Sequence, residues 1–148
     1  MNFMVEFKIS SVFENNKLIP KKYTCDGEDI NPPLSIEGTP KGAKTLVLIM
    51  DDPDAVSGIF DHWVIWNIPS STSVIKENSS VGIEGLNSGG RRGYYGPCPP
   101  SGTHRYIFKL YALDCELNLG SNSRKKDVEK AFSGHVLAEN KLTGLYHR

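Results

Sequence analysis

The chain has 148 residues, enough for one domain with a real core and short for two. Lysine plus arginine and aspartate plus glutamate each number 17, so the formal net charge is zero and the basic excess of a dedicated nucleic-acid binder is excluded. Hydrophobic residues at 39% and charged residues at 23% match an average soluble protein, and no polybasic or strongly amphipathic stretch suggests a membrane surface.

The opening M-N-F-M-V-E-F-K-I-S alternates polar and apolar residues. It reads as neither signal peptide nor membrane span, but as a half-buried strand with Phe3, Val5, Phe7 and Ile9 on one face. Asn15-Asn16 is a turn and Ile19–Tyr23 a second short strand; Thr24 to Pro33 is dense in turn formers. Leu34–Ile36 predicts a brief strand before a turn at Gly38–Gly42. Thr45–Met50 is a continuous apolar run of strand length, which predicts a strand covered on both faces and stopped at Asp51-Asp52-Pro53-Asp54. A loop leads to a strand at His62–Ile68, ended by Pro69. Residues 70–93, rich in Ser, Gly and Asn, read as a surface excursion with one short strand. In His104–Leu113, His104, Tyr106, Phe108, Leu110 and Ala112 share one face. Ser123–Ser133 predicts a helix with a serine N-cap and Gly134 as its stop, and the tail from His135 a helical turn and then a strand. Many short strands, Pro/Gly-rich turns and one late helix make this a mainly β, sandwich-like single domain over residues 1–148.

Cys25, Cys98 and Cys115 are an odd number without C-x-x-C spacing, so neither a disulfide framework nor a zinc site is indicated. A reducing cytoplasm is the simplest home, and a single Cys25–Cys98 or Cys25–Cys115 bridge stays open.

Two polar clusters could carry chemistry. Asp51, Asp52 and Asp54 end a buried strand; such residues commonly build β-turns, and the functional alternative is a carboxylate that orients a histidine. His62 and His104 each open an apolar strand after a loop. They converge if those strands are parallel or in separate layers, and lie at opposite ends if the strands are antiparallel neighbours. The loop Gly96–Tyr106 reads G-P-C-P-P-S-G-T-H-R-Y. Pro97, Pro99 and Pro100 remove three donors, leaving the N–H groups of Gly96, Cys98, Ser101 and Gly102 for a small oxyanion. The same composition suits a stiff turn before a strand. There is no G-x-S-x-G elbow, Cys98 has no neighbouring cation to activate it, and no spacing matches a local metal motif. No metal or cofactor is therefore expected.

Four stretches together resemble one family: Y-T-C-D-G-E-D-I-N-P-P-L (Tyr23–Leu34), D-D-P-D-A (Asp51–Ala55), H-W-V-I-W-N-I-P (His62–Pro69) and Y-G-P-C-P-P-S-G-T-H-R-Y-I-F-K-L-Y-A-L-D (Tyr95–Asp114). They are similar to the phosphatidylethanolamine-binding proteins, more narrowly to the short prokaryotic, Raf kinase inhibitor-like branch, as is the ending Gly134–Tyr146. The resemblance implies a sandwich of two antiparallel sheets with Greek-key topology and a short helix near the C-terminus. It also implies a pocket for phosphate, acetate-like anions or phosphorylated head groups. Carried over, the pocket would comprise Asp52, Asp54, His62, Gly96, Cys98, Pro99, Pro100, His104 and Tyr106. Cis bonds shape that pocket in the family, which makes the Asp-Pro and Pro-Pro steps candidates. The C-terminal extension of longer eukaryotic members is not seen here, so their kinase partners are not carried over, and the Val56–Asp61 loop is short and partly apolar. The leading expectation is a non-catalytic anion-binding protein with a regulatory role. A protease or kinase inhibitor acting through protein contacts is the alternative, and an Asp/His hydrolase or lyase ranks third. A homodimer is expected from the resemblance alone.

Overall fold

The computed structural model describes residues 5–148, so Phe3 of the expected first strand lies outside the described residues. Strands β1 (Lys8–Ser11), β2 (Lys17–Leu18), β3 (Leu34–Glu37), β4 (Thr45–Asp52), β5 (Phe60–Pro69), β6 (Val74–Ile75), β7 (Ile83–Glu84) and β8 (Thr103–Leu113) precede the helix α1 (Lys125–Phe132), and β9 (Val136–His147) follows it. They form a small sheet in the order β1-β3-β6 and a large one in the order β2-β9-β8-β4-β5-β7. The expected mainly β, two-sheet architecture with a late helix is what the chain adopts. The large sheet departs from pure antiparallel pairing at one edge, where β2 runs parallel to β9.

The centre of the large sheet follows from the apolar runs. All of β4 is buried. Leu46, Leu48 and Met50 pack with Trp63, Ile65, Phe108 and Leu110 in the core. Val47 and Ile49 pack on the other face with Val64, Trp66 and the α1 residues Val128 and Phe132. A strand with apolar side chains in both directions needs a cover on both faces, and α1 supplies the second. Each such buried side chain contributes about 1.5–3 kcal/mol relative to its exposed state.

Several local expectations shift for identifiable reasons. β1 begins at Lys8; Phe7 and Ile9 are buried but Val5 is 64% exposed and lies off the core face. Pro20 turns the expected Ile19–Tyr23 strand into a short 3-10 turn at Lys21–Tyr23, and the pairing moves back to β2. The 70–93 excursion holds two short strands, β6 and β7, rather than one. Helix α1 starts after Arg124, whose backbone N–H donates to the Asp127 carboxylate at 2.9 Å, so a serine does not cap it. Gly134, with φ of +82°, stops the helix, and the tail enters β9 without a helical turn because it pairs with β8 from Leu113↔Val136 to Thr103↔His147.

Cys25 and Cys98 form a disulfide with Cα atoms 5.5 Å apart, and Cys115 is free. Of the two open pairings, the fold selects the one that joins the 24–33 turn region to the proline loop. This bridge also removes the cysteine-based ground for expecting a reducing compartment. Among the described residues no helix is long and apolar enough to cross a membrane, and no peptide bond is cis.

Candidate functional site

Strands β5 and β8 flank β4, and each is antiparallel to it, so they run parallel to each other. His62, near the start of β5, and His104, near the start of β8, therefore emerge at the same end of the sheet as Asp52, the last residue of β4. Topology answers the question that spacing left open.

A bulge finishes the alignment. The β4–β5 register passes from Met50↔Trp63 to Asp51↔Asp61, so His62 is the extra residue. Strict alternation would send His62 to the α1 side with Val64 and Trp66, opposite Trp63. The bulge instead turns its ring toward Tyr106, with ring centroids 5.2 Å apart.

Asp52 is buried and both of its oxygens are engaged. Oδ1 accepts the backbone N–H of Asp54 at 2.7 Å, and Oδ2 lies 2.7 Å from Nδ1 of His104. Nδ1 of His62 lies 2.5 Å from the Tyr95 carbonyl oxygen. A carbonyl can only accept, so the His62 proton sits on Nδ1; an ionised Asp52 imposes the same tautomer on His104. Both rings are thereby left with Nε2 as the free nitrogen. Burial pushes the His62 pKa below its ordinary 6.5, opposed in part by the hydrogen bond to Tyr95 and by the Asp52 charge. Burial, followed by the nearby Asp52 and Asp54 charges, pushes the Tyr106 phenol far up, so its hydroxyl stays protonated.

These groups line a cavity of about 360 Å³. Asp52, His62, His104 and Tyr106 lie on its polar side, and Cys98, Pro99 and Pro100 form one wall. Tyr95 and the loop 55–60 complete it. The rim is apolar, with Val56 84% and Ile59 59% exposed. The wall is braced from behind: the Cys25 N–H donates to the Pro97 carbonyl, and Arg148 bridges Cys98 Sγ and the Asp26 carboxylate.

The structure brings together seven of the nine expected site residues and holds two apart from the lining. Gly96 packs against the Asp29 carboxylate, which would have to move to admit a Cβ there. Asp54 is clamped by Arg105 through Nε, Nη2 and the backbone N–H, each at 2.9 Å. That clamp draws the Asp54 carboxyl down to about 2. Gly102 spends its N–H on the Arg148 carbonyl at 3.0 Å, removing one of the expected oxyanion donors.

Sequence reasoning missed Tyr95 and the division of labour in the aspartate cluster. Asp51 points to the opposite face, where Lys109 lies at 2.9 Å and Lys125 at 3.4 Å; Lys125 also pairs with Asp61 at 2.7 Å. Alternation along β4 held that signal, since Leu46, Leu48, Met50 and Asp52 fall on one side. Nothing in the spacing marked Tyr95, because its carbonyl rather than its ring orients His62.

A family model described as "Phosphatidylethanolamine-binding protein" matches residues 9–147. A UPF0098 protein of Pyrococcus horikoshii is 51% identical over 97% of this chain and 78% of its own length. One from Methanothermobacter thermautotrophicus is 52% identical over 92% of this chain and 95% of its own. Among solved structures, a phosphatidylethanolamine-binding protein homologue from Chlamydia trachomatis superposes with a TM-score of 0.94 at 38% identity, covering 97% of this chain and 98% of that one. Escherichia coli YbcL, described as a member of the mammalian PEBP family, gives 0.88 at 26% identity over 97% and 99%.

Proposed function

The chain belongs to the phosphatidylethanolamine-binding protein family, in its prokaryotic branch, and from that premise we propose that its cavity binds a small anion or a phosphorylated head group. The observation that carries this reading is the pair of imidazoles whose Nδ1 atoms are tied to oxygen acceptors while both rings line one cavity. An anion bound there favours uptake of a proton from solvent at Nε2, which converts an acceptor into a charged donor. Asp52 does not face the anion as a bare charge, because both its oxygens are occupied; it steadies the His104 imidazolium instead. The protonated Tyr106 hydroxyl supplies a neutral donor. The apolar rim at Val56, Ile59 and Phe60 suits an apolar substituent on the ligand.

Calorimetric titration with inorganic phosphate and sulfate tests the reading. Saturable binding that His104→Ala removes is expected; no saturable binding at pH 6 contradicts it.

One further observation supports a catalytic alternative: Asp52 and His104 are within general acid/base reach at 2.7 Å. Cys98, held in the disulfide, cannot serve as nucleophile. Turnover of a phosphomonoester panel that disappears in His104→Ala would replace the binding reading. The exposed Val56 and Ile59 also suit an inhibitor role through protein contacts. Exchange of both for serine would then abolish partner capture while leaving phosphate binding intact.

A further inference from the structure

We infer that the protein carries a second ligand site, a surface centre for a first-row transition-metal dication of the zinc or cobalt class, held by Asp114, Cys115 and His135. One ligand atom from each residue lies within 4.8 Å of the other two. A carboxylate oxygen, a sulfur and an imidazole nitrogen form a donor set that suits Zn²⁺ or Co²⁺, whereas Mg²⁺ and Ca²⁺ require oxygen. Tetrahedral coordination at about 2.0–2.3 Å sets ligand atoms roughly 3.3–3.8 Å apart. From the 4.8 Å limit the sulfur needs at most about 1.3 Å of contraction, within reach of side-chain rotation, and Asp114 Oδ1 and His135 Nδ1, now 2.8 Å apart, must open slightly.

The fold holds these three residues in place. The β8–β9 ladder ends at Leu113↔Val136, and Asp114 and His135 are the next residue outward on each side. The Asp114 N–H donates to the His135 carbonyl at 3.1 Å, and the His135 N–H to the Phe132 carbonyl at 2.9 Å. The Thr45 hydroxyl donates to the Cys115 carbonyl at 2.6 Å. All three backbones are thus fixed before any ion arrives, which reduces the ordering cost of binding. The site lies beyond the end of β8 opposite to His104, about 30 Å from the cavity at the ordinary rise of a strand, and shares no residue with it.

Proton balance is simple. Burial, and then the Asp114 charge, push the Cys115 thiol up, with Lys44 opposing. The ion must therefore displace the thiol proton to solvent, and one proton leaves per ion bound. A ring nitrogen that holds a metal carries no proton, so His135 binds through Nδ1 with its proton on Nε2. Thiolate and carboxylate then balance the two positive charges, and solvent fills the remaining position.

Titration of the whole protein with Co²⁺ under non-reducing conditions tests this, because Cys25 and Cys98 remain paired and Cys115 is the free thiol. One equivalent of Co²⁺ should produce a near-ultraviolet thiolate-to-cobalt charge-transfer band together with tetrahedral visible bands, reversed by Zn²⁺. Cys115→Ser should lose the charge-transfer band, and His135→Ala and Asp114→Asn should weaken binding. His104→Ala should match the wild type, which separates this site from the cavity. Absence of the band, its survival in Cys115→Ser, or equal affinity in His135→Ala and Asp114→Asn would overturn the proposal; circular dichroism of each variant establishes that it is folded.

Discussion

Adjacent carboxylates on one strand end perform different tasks because a strand points successive side chains to opposite faces. Asp51 is buried against Lys109 and Lys125, whereas Asp52 enters the cavity and holds His104. Lys109 is one-third exposed and Lys125 keeps Asp61, so neither is left as a buried unpaired charge when Asp51 is truncated, and losing hydrogen bonds to a charged group costs about 1.5–3 kcal/mol. Asp51→Ala should approach that loss in urea unfolding while phosphate affinity stays unchanged. Asp52→Asn should lower affinity, because its amide no longer stabilises the His104 imidazolium. Equal effects of both changes on affinity would mean that the two faces are not independent. The Asp54–Arg105 clamp is more exposed, so solvent screens it and its contribution to stability is small. Its sign follows from the depressed Asp54 pKa: the contribution is present above an ordinary aspartate value near 3.8 and is lost as pH falls through about 2. Urea midpoints of wild type and Asp54→Ala should therefore differ at pH 7 and converge at pH 2. His62 works in the same direction at higher pH. Its folded pKa lies below 6.5, so the unfolded chain takes up the proton first and stability falls as pH drops through 6.5. His62→Gln should flatten that part of the pH–stability curve.

At the scale of elements, the strands that matter most are those with the strongest patterns. The Thr45–Met50 run and the alternation from His104 to Leu113 became β4 and β8 nearly as read. Convergence of His62 and His104, implied by the family resemblance, was not legible in their spacing, because it depends on β4 lying between β5 and β8 and on a bulge that leaves His62 outside the ladder. Neither leaves a local mark in the chain. The Asp54–Arg105 clamp was hidden for the same reason: its partners are 51 residues apart. Spacing was also silent on the Cys25–Cys98 bridge, which closes 73 residues of chain. Loop-closure entropy for a loop of that length predicts a loss of about 4 kcal/mol when the bond is absent. Cys25→Ser, which leaves the Cys98 wall residue in place, should show that loss in urea unfolding. It should also weaken phosphate binding, because the wall then rests on the Pro97 and Arg148 contacts alone. Unchanged affinity would mean that the prolines stiffen the loop without the bridge.

For the whole molecule, two sheets and one covering helix deliver three buried polar groups to a single mouth, at a cost in desolvation that their hydrogen bonds offset. The family resemblance carried the fold and most of the cavity lining. It did not carry the protonation logic, which comes from the oxygens that face each Nδ1. On the proposed function, an anion binds together with a proton on the histidines. Sulfate is the direct probe because its own charge is constant across the range, and calorimetric titration at pH 8 and pH 6 in buffers of different ionisation enthalpy reads both affinity and proton uptake. Tighter binding at pH 6, with protons taken up and with His104→Ala losing the effect, is the expected result; equal affinity at the two pH values with no proton uptake would contradict it.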